Sequence, residues 1–255
     1  KLEKKMIIKN EDELLRIRES SKSLAKIFEE IGSIIKPGVY AKDIDAFVEN
    51  FIEHENASSA FLGYGGRNPF PASCCVSIND ELIHGIPGRK KLNDGDIVTI
   101  DIGVNKKGYF SDAARTYLVG ECNVLKKRLK NVAERAFFVG IDKIKDGTRI
   151  SDVSKEIQSV IESSGFHVVR NFVGHGVGKS LHEKPEVPNF YERRNTETFK
   201  EGMVVAIEPM VTCDSPEVYT ERDGWTVKSR DGRPTSHYEN TNLILQSGCE
   251  ILTKI

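Results

Sequence analysis

The chain has 255 residues, enough for one large domain with a substantial core. Its 37 Lys and Arg against 38 Asp and Glu lack the basic excess of a nucleic-acid binder, and no apolar run approaches the ~18 residues of a membrane span. Five cysteines (Cys74, Cys75, Cys122, Cys213 and Cys249) are odd in number and include no zinc-spaced pair, which argues against a disulfide framework and for a reducing, cytoplasmic setting.

The start, Lys1-Leu-Glu-Lys-Lys-Met6, lacks the apolar centre of a signal peptide, and Lys1 to Lys5 read as a remnant ahead of a native start at Met6. Asn10-Glu-Asp-Glu13 is a capping box before a helix whose Leu14, Ile17, Leu24, Ile27, Phe28 and Ile31 recur at helical spacing, until Pro37-Gly38 stops the run. A second helix carries Ile44, Phe47, Val48, Phe51 and Ile52 on one face. A Gly-, Asn- and Pro-rich loop spans Gly63 to Pro71. Strands are predicted near Cys75 to Ile78, Ile97 to Val104 and Tyr109 to Leu118, and helices near Asn123 to Lys143 and Ser151 to Ser163. Short strands and loops fill the rest.

The pattern repeats. Ile35-Lys36-Pro-Gly38 matches Ile144-Lys145-Asp-Gly147, and the strand Asp96 to Val104 matches Met203 to Pro209, so that Asp101 and Glu208 fall at the same point. Two helices followed by an antiparallel sheet, used twice, describe an α+β chain with halves of roughly 11–120 and 123–250. The competing explanation is chance likeness between amphipathic segments.

A lone carboxylate in so aliphatic a strand is costly to bury, and it requires a cation or a dense set of donors. Reading Asn105-Lys-Lys-Gly108 as a four-residue hairpin loop pairs Val104 with Tyr109 and sets Asp101 directly opposite Asp112, with Cβ atoms about 4.5–5.5 Å apart. Val98, Ile100, Ile102 and Val104 then face the core, and small Thr99 and Gly103 leave room for a ligand beside Asp101. Glu239 precedes an apolar strand and stands to Glu208 as Asp112 stands to Asp101.

Gly174-His175-Gly176-Val177-Gly178 sets a histidine among glycines that allow close backbone approach to a ligand. His182 converges with His175 only if the intervening loop folds back. His54 and His167 have ordinary structural contexts, and His237 is not assigned by its context. Gly178-Lys179-Ser180 imitates the end of a phosphate-binding loop, but Val173 stands where that motif needs glycine. Four carboxylates and one imidazole suit a pair of divalent ions such as Mn, Fe or Co better than a thiolate zinc site.

These residues resemble the type I methionine aminopeptidases over nearly the whole chain. The likeness rests on Ser77-Ile-Asn-Asp-Glu-Leu-Ile-His84-Gly-Ile-Pro87, Asp101-Ile-Gly, Ser111-Asp112, Gly174-His175-Gly-Val-Gly178, His182-Glu183, Ile207-Glu208-Pro-Met210, Trp225 and Tyr238-Glu239-Asn-Thr241. With no cysteine before Cys74 and a short span from His182 to Glu208, the resemblance is to the bacterial-type enzymes. It implies the pita-bread fold, a pseudo-twofold of helices over curved antiparallel sheet in a single catalytic domain. It also implies two divalent ions (Co, Mn or Fe(II)) held by Asp101, Asp112, His175, Glu208 and Glu239. By the same resemblance Glu208 is the general base, His182 binds the carbonyl oxygen, and His84 serves the scissile nitrogen. The substrate is then the N-terminal methionine of nascent polypeptides, bound by Tyr64, Cys75, His84, Leu181, His182 and Trp225. The family further implies a monomer in transient contact with the ribosome, with no membrane or specific nucleic-acid partner. Leu181 departs from the aromatic expected there, the loop from Tyr64 to Cys75 is longer than usual, and Cys75 reads equally well as a buried filler thiol.

Overall fold

The computed structural model describes residues 7–8 and 10–254, so the reading of Lys1 to Met6 lies outside the described residues. Asn10 opens the first helix as expected, its side chain accepting from the Glu13 amide (3.0 Å). That helix, α1 (Glu11–Ile31), and α2 (Ala41–His54) bury the predicted faces through Leu24, Ile27, Phe28, Ile44, Val48 and Ile52. The first half continues with β1 (Ser58–Ser59), β2 (Cys75–Ile78), β3 (Glu81–Ile83), β4 (Ile97–Lys106) and β5 (Tyr109–Leu118). The second opens with α3 (Val124–Ile141) and α4 (Ile150–Ser163). It then runs through β6 (His167–Val168), β7 (Gly174–Gly176), β8 (Glu183–Val187), β9 (Val204–Ile207) and β10 (Met210–Thr212). The last strands are β11 (Val218–Thr220), β12 (Val227–Ser229), β13 (Ser236–His237), β14 (Asn240–Leu245) and β15 (Gly248–Ile251).

Each helix pair covers its own antiparallel sheet. Helices α1 and α2 lie on β2 and β4 through Val76, Val98, Ile100, Ile102 and Val104. Helices α3 and α4 lie on β9, β10 and β14 through Phe137, Ile157, Val205, Ile207, Val211 and Ile244. In a four-stranded sheet β4 is flanked by β5 and, on its other edge, by β1 and β2; a five-stranded sheet has the order β15-β14-β9-β7-β8, and two three-stranded sheets, β13-β10-β6 and β11-β12-β3, lie beside them. The four- and five-stranded sheets meet where Ala114 and Glu239 exchange backbone hydrogen bonds (3.3 and 3.0 Å). The site is built at this seam. No helix among the described residues is long and apolar enough to cross a membrane.

The hairpin register differs from the expected one. Strands β4 and β5 extend to Lys106 and Tyr109, and only Lys107 and Gly108 form the turn, both with positive φ (53° and 80°). Such a two-residue turn matches the twist of its strands better than a four-residue loop does. Asp101 therefore pairs with Ala114, and Asp112 pairs with Gly103. A slip of two preserves the side-chain face, so the aspartates remain neighbours, diagonal rather than directly opposed.

Glu55, just beyond α2, joins three elements. It accepts from Lys26 (2.7 Å), Ser23 (2.9 Å) and Lys106 (3.1 Å). The Lys26 ammonium foremost, with Ser23 and Lys106, pulls its carboxyl down to about 2. A depressed carboxyl stabilises the fold fully above its unfolded value of about 4.3 and loses that contribution as pH falls toward about 2. Glu55→Gln is expected to cost roughly 1 kcal/mol at neutral pH. Circular-dichroism melts should show the wild-type and variant midpoints converging as the pH drops through that window.

Candidate metal centre and apolar pocket

Three strands and two strand ends bring the carboxylates and the imidazole together. Asp101 projects from β4 and Asp112 from the neighbouring β5. Glu208 follows the last residue of β9. Glu239 precedes the first residue of β14, and because Ile207 pairs with Asn240, Glu208 and Glu239 stand opposite each other one step past the ladder. His175 is the middle residue of β7, paired with Ala206. All five side chains are buried.

Their backbones are held firmly. The Asp112 amide donates to Thr241 Oγ1 (2.8 Å), whose hydroxyl donates back to the Asp112 carbonyl (2.8 Å). Arg115 donates to the Glu239 carbonyl (2.5 Å) and to Asn240 Oδ1 (2.6 Å). Asn189 donates to the Glu208 carbonyl (3.0 Å). The carboxylate tips are in the opposite condition. Asp101 Oδ1, Asp112 Oδ1, Glu208 Oε1 and Glu239 Oε1 are buried without a hydrogen-bond partner.

Burial first, and repulsion among Asp112, Glu208 and Glu239 next, push those three carboxyls well above the ordinary carboxylate range, and burial raises Asp101 too. Two like unit charges about 4 Å apart repel by roughly 4 kcal/mol at an effective dielectric of about 20. Several such pairs exceed what a fold stable by about 5–15 kcal/mol can bear, so ionised carboxylates here require cations. The histidines are prepared for the same role. Burial lowers His175 to about 3, so its ring is neutral. Its Nδ1 lies 2.9 Å from the Gly176 carbonyl, which can only accept, so the proton resides on Nδ1. The bare Nε2 faces Glu208 Oε1 (3.6 Å) and Asp112 Oδ2 (3.9 Å). Donor atoms of Asp112, His175 and Glu239 all lie within 4.8 Å of one another, as do those of Asp101, His237 and Glu239. Orphaned oxygens, neutral imidazoles and a shared carboxylate fit a pair of divalent cations.

His182 does converge with His175, their ring centres 4.2 Å apart, because the chain after β7 folds back into β8. Its Nδ1 lies 2.7 Å from the Tyr64 hydroxyl. The glycines flanking His175 serve packing rather than a ligand. A Cβ at Gly174 would stand 2.4 Å from the Ala206 carbonyl, and one at Gly176 would stand 2.2 Å from that of Lys184. The phosphate-loop look-alike is spent otherwise, with Lys179 pairing with Glu13 (2.6 Å).

A cavity of about 410 Å³ opens beside the carboxylates. Tyr64, Cys75, His84, Leu181, His182 and Trp225 all line it. His84 adopts left-handed backbone (φ 56°) and packs edge-on to Phe172 and Trp225. Sequence reasoning missed Phe61, Phe70 and Phe172 in this wall. The long loop supplies Phe70, which is buried and lies edge-on to Trp225 at 5.3 Å. Trp225 in turn donates to the Asn68 carbonyl (3.0 Å). The unusual length of that loop was the available clue. The room at Gly103, expected for a ligand, is taken by Phe61: a Cβ there would stand 2.6 Å from Phe61 Cε1. Gly103→Ala is therefore expected to displace that ring and raise KM for a ligand of this cavity roughly tenfold, with metal content by elemental analysis unchanged.

This arrangement belongs to a known class. Residues 16–246 match the model of metallopeptidase family M24, and the chain is a member of that family. Its relatives include the methionine aminopeptidase of Clostridium perfringens, 46% identical over 250 residues, 98% of this chain and 99% of that protein. The crystal structure of methionine aminopeptidase from Thermotoga maritima superposes with a TM-score of 0.94 at 39% identity, covering 98% of this chain and 100% of that one. The Xaa-Pro dipeptidase from Bacillus anthracis is more distant, with a TM-score of 0.80 and 26% identity, and this chain covers 98% of itself but only 62% of that longer protein. The fold is the pita-bread α+β architecture shared by these enzymes.

Proposed function

We propose that this protein removes the N-terminal methionine from nascent polypeptides by metal-dependent hydrolysis. The observation that carries this reading is the convergence of Asp101, Asp112, His175, Glu208 and Glu239 in the wall of one apolar, aromatic-lined cavity. Those five residues would hold two divalent cations (Co, Mn or Fe(II)), which supply Lewis acidity and lower the pKa of water at the site.

The chain's own residues complete the reaction. The thioether side chain enters between Tyr64, Phe61, Phe70, Cys75, Leu181 and Trp225, where apolar walls favour it over polar side chains. Glu208 takes the proton of the attacking water. Partial burial lowers His182 to about 4, so its ring is neutral and donates through Nε2 to the carbonyl oxygen as charge develops. That tautomer leaves Nδ1 to accept from the Tyr64 hydroxyl. His84, at the cavity wall, serves the departing amine. The free thiols of all five cysteines support a cytoplasmic setting. A monomer that meets the ribosome transiently fits the same role.

Full-length kinship to methionine aminopeptidases favours this reading over an Xaa-Pro peptidase. The test offers metal-loaded protein Met-Ala-Ser and Xaa-Pro peptides side by side. Release of methionine alone is expected; cleavage of only the proline peptide, or of neither, would overturn the proposal.

A further inference from the structure

His237 is the one imidazole in the cluster that the five-ligand reading leaves idle. It lies on β13, paired with Met210 of β10, and is 1% exposed. Neither of its ring nitrogens has a hydrogen-bond partner. A buried imidazole without partners is destabilising by roughly 1–3 kcal/mol, which makes it a poor choice of core filler. The ring is nevertheless held in place by its own backbone. Thr116 Oγ1 donates to the His237 carbonyl (2.7 Å) and accepts from its amide (3.2 Å), and Thr99 lies 2.8 Å from that same hydroxyl. The chain has fixed this side chain while giving it nothing to bond.

Its Nε2 points at the carboxylates, 3.8 Å from Glu239 Oε2 and 3.9 Å from Glu208 Oε2. Those separations are too long for hydrogen bonds. They are right for two donors on one ion: with bonds of about 2.1 Å, ligand atoms lie roughly 3 Å apart when adjacent and no more than about 4.2 Å apart when opposite. His175 shows the same spacing to its own carboxylates, 3.6 and 3.9 Å. The donor atoms thus sort into two triads, Asp112 with His175 and Asp101 with His237, each completed by Glu239.

We propose that His237 is a sixth protein ligand of the metal centre, giving the ion held by Asp101 and Glu239 an imidazole of its own. The proposal rests on the metal reading of the site and deepens it. A site of carboxylates alone suits Mg or Mn; one nitrogen shifts it toward Fe(II), Co(II) or Zn(II) and tightens it. Both ions are then held by mixed nitrogen and oxygen sets, and the second is not a loosely bound accessory.

Metal-stripped wild type and His237→Gln are titrated with Co(II) by calorimetry, with circular dichroism to check the fold. Two ions are expected in the wild type. His237→Gln should keep the first with an unchanged Kd and bind the second at least about tenfold more weakly. Two Co(II) ions bound by His237→Gln with wild-type constants would overturn the proposal alone. A wild type that takes up no Co(II) would overturn the metal reading with it. Should His237→Gln fail to fold, electron spin-echo modulation of the Mn(II)-loaded wild type counts directly coordinated imidazoles: two support the proposal and one overturns it.

Discussion

Asp112→Asn is expected to lower methionine-releasing turnover by about 10³-fold, since the cation contribution it removes is worth several kcal/mol at the transition state. Elemental analysis should show the loss of divalent ion alongside the loss of rate. The substitution is nearly isosteric, and the contacts that fix this segment come from the Asp112 backbone to Thr241, so the fold should survive. Stability should move the other way. In the metal-free protein Asp112 stands buried among like-charged neighbours, with Glu239 foremost among those that raise its pKa. A carboxyl whose pKa is raised on folding destabilises the fold at neutral pH, and the neutral amide of Asp112→Asn removes that cost. The metal-free variant should therefore melt above metal-free wild type, by roughly 2–4 °C per kcal/mol relieved for a chain of this size. A variant that is more stable, empty of metal and inactive would separate a ligand from a merely structural aspartate. Unchanged metal content and turnover would disprove the assignment.

His182→Ala should produce a different pattern: kcat falls by about 10²-fold or more, as for loss of one oxyanion donor, while metal content stays at the wild-type level. KM should change little, because the role proposed for the ring is at the reacting carbonyl and not at the methionine side chain. His182 lies beside His175 but its Nδ1 is engaged by Tyr64, so it is not counted among the metal donors. Equal losses of metal and rate in His182→Ala would instead make it a ligand. Steady-state kinetics with elemental analysis on the same sample distinguishes these outcomes.

The sequence revealed these chemical groups more readily than their exact placement. Helix α1 was legible because a cap and an apolar stripe are local features, and both appear as read. Asp101 and Glu208 were legible because a carboxylate in an aliphatic strand violates burial. The hairpin register was misread by two, since Lys107 adopts a left-handed conformation that its residue type does not announce. Even so, the inferred proximity of Asp101 and Asp112 survived, because a slip of two leaves both on one face. The pocket was legible only in part. Phe61 and Phe70 reach it through tertiary contacts, one in the notch left by Gly103 and one at the end of a loop that packs against Trp225. His237 could not be assigned from its neighbours in sequence; its significance comes from its orphaned nitrogens, which are visible only in three dimensions.

The backbone bridge between Ala114 and Glu239 has a consequence for how activity is lost. Asp101 and Asp112 come from one sheet, His175, Glu208 and Glu239 from the other, so each helix pair with its strands carries only part of the donor set. A chain unfolded in either part is therefore expected to lose the proposed centre. Activity should thus report on the assembly of the whole molecule, and an incompletely folded copy is expected to be silent as a peptidase toward the chains around it.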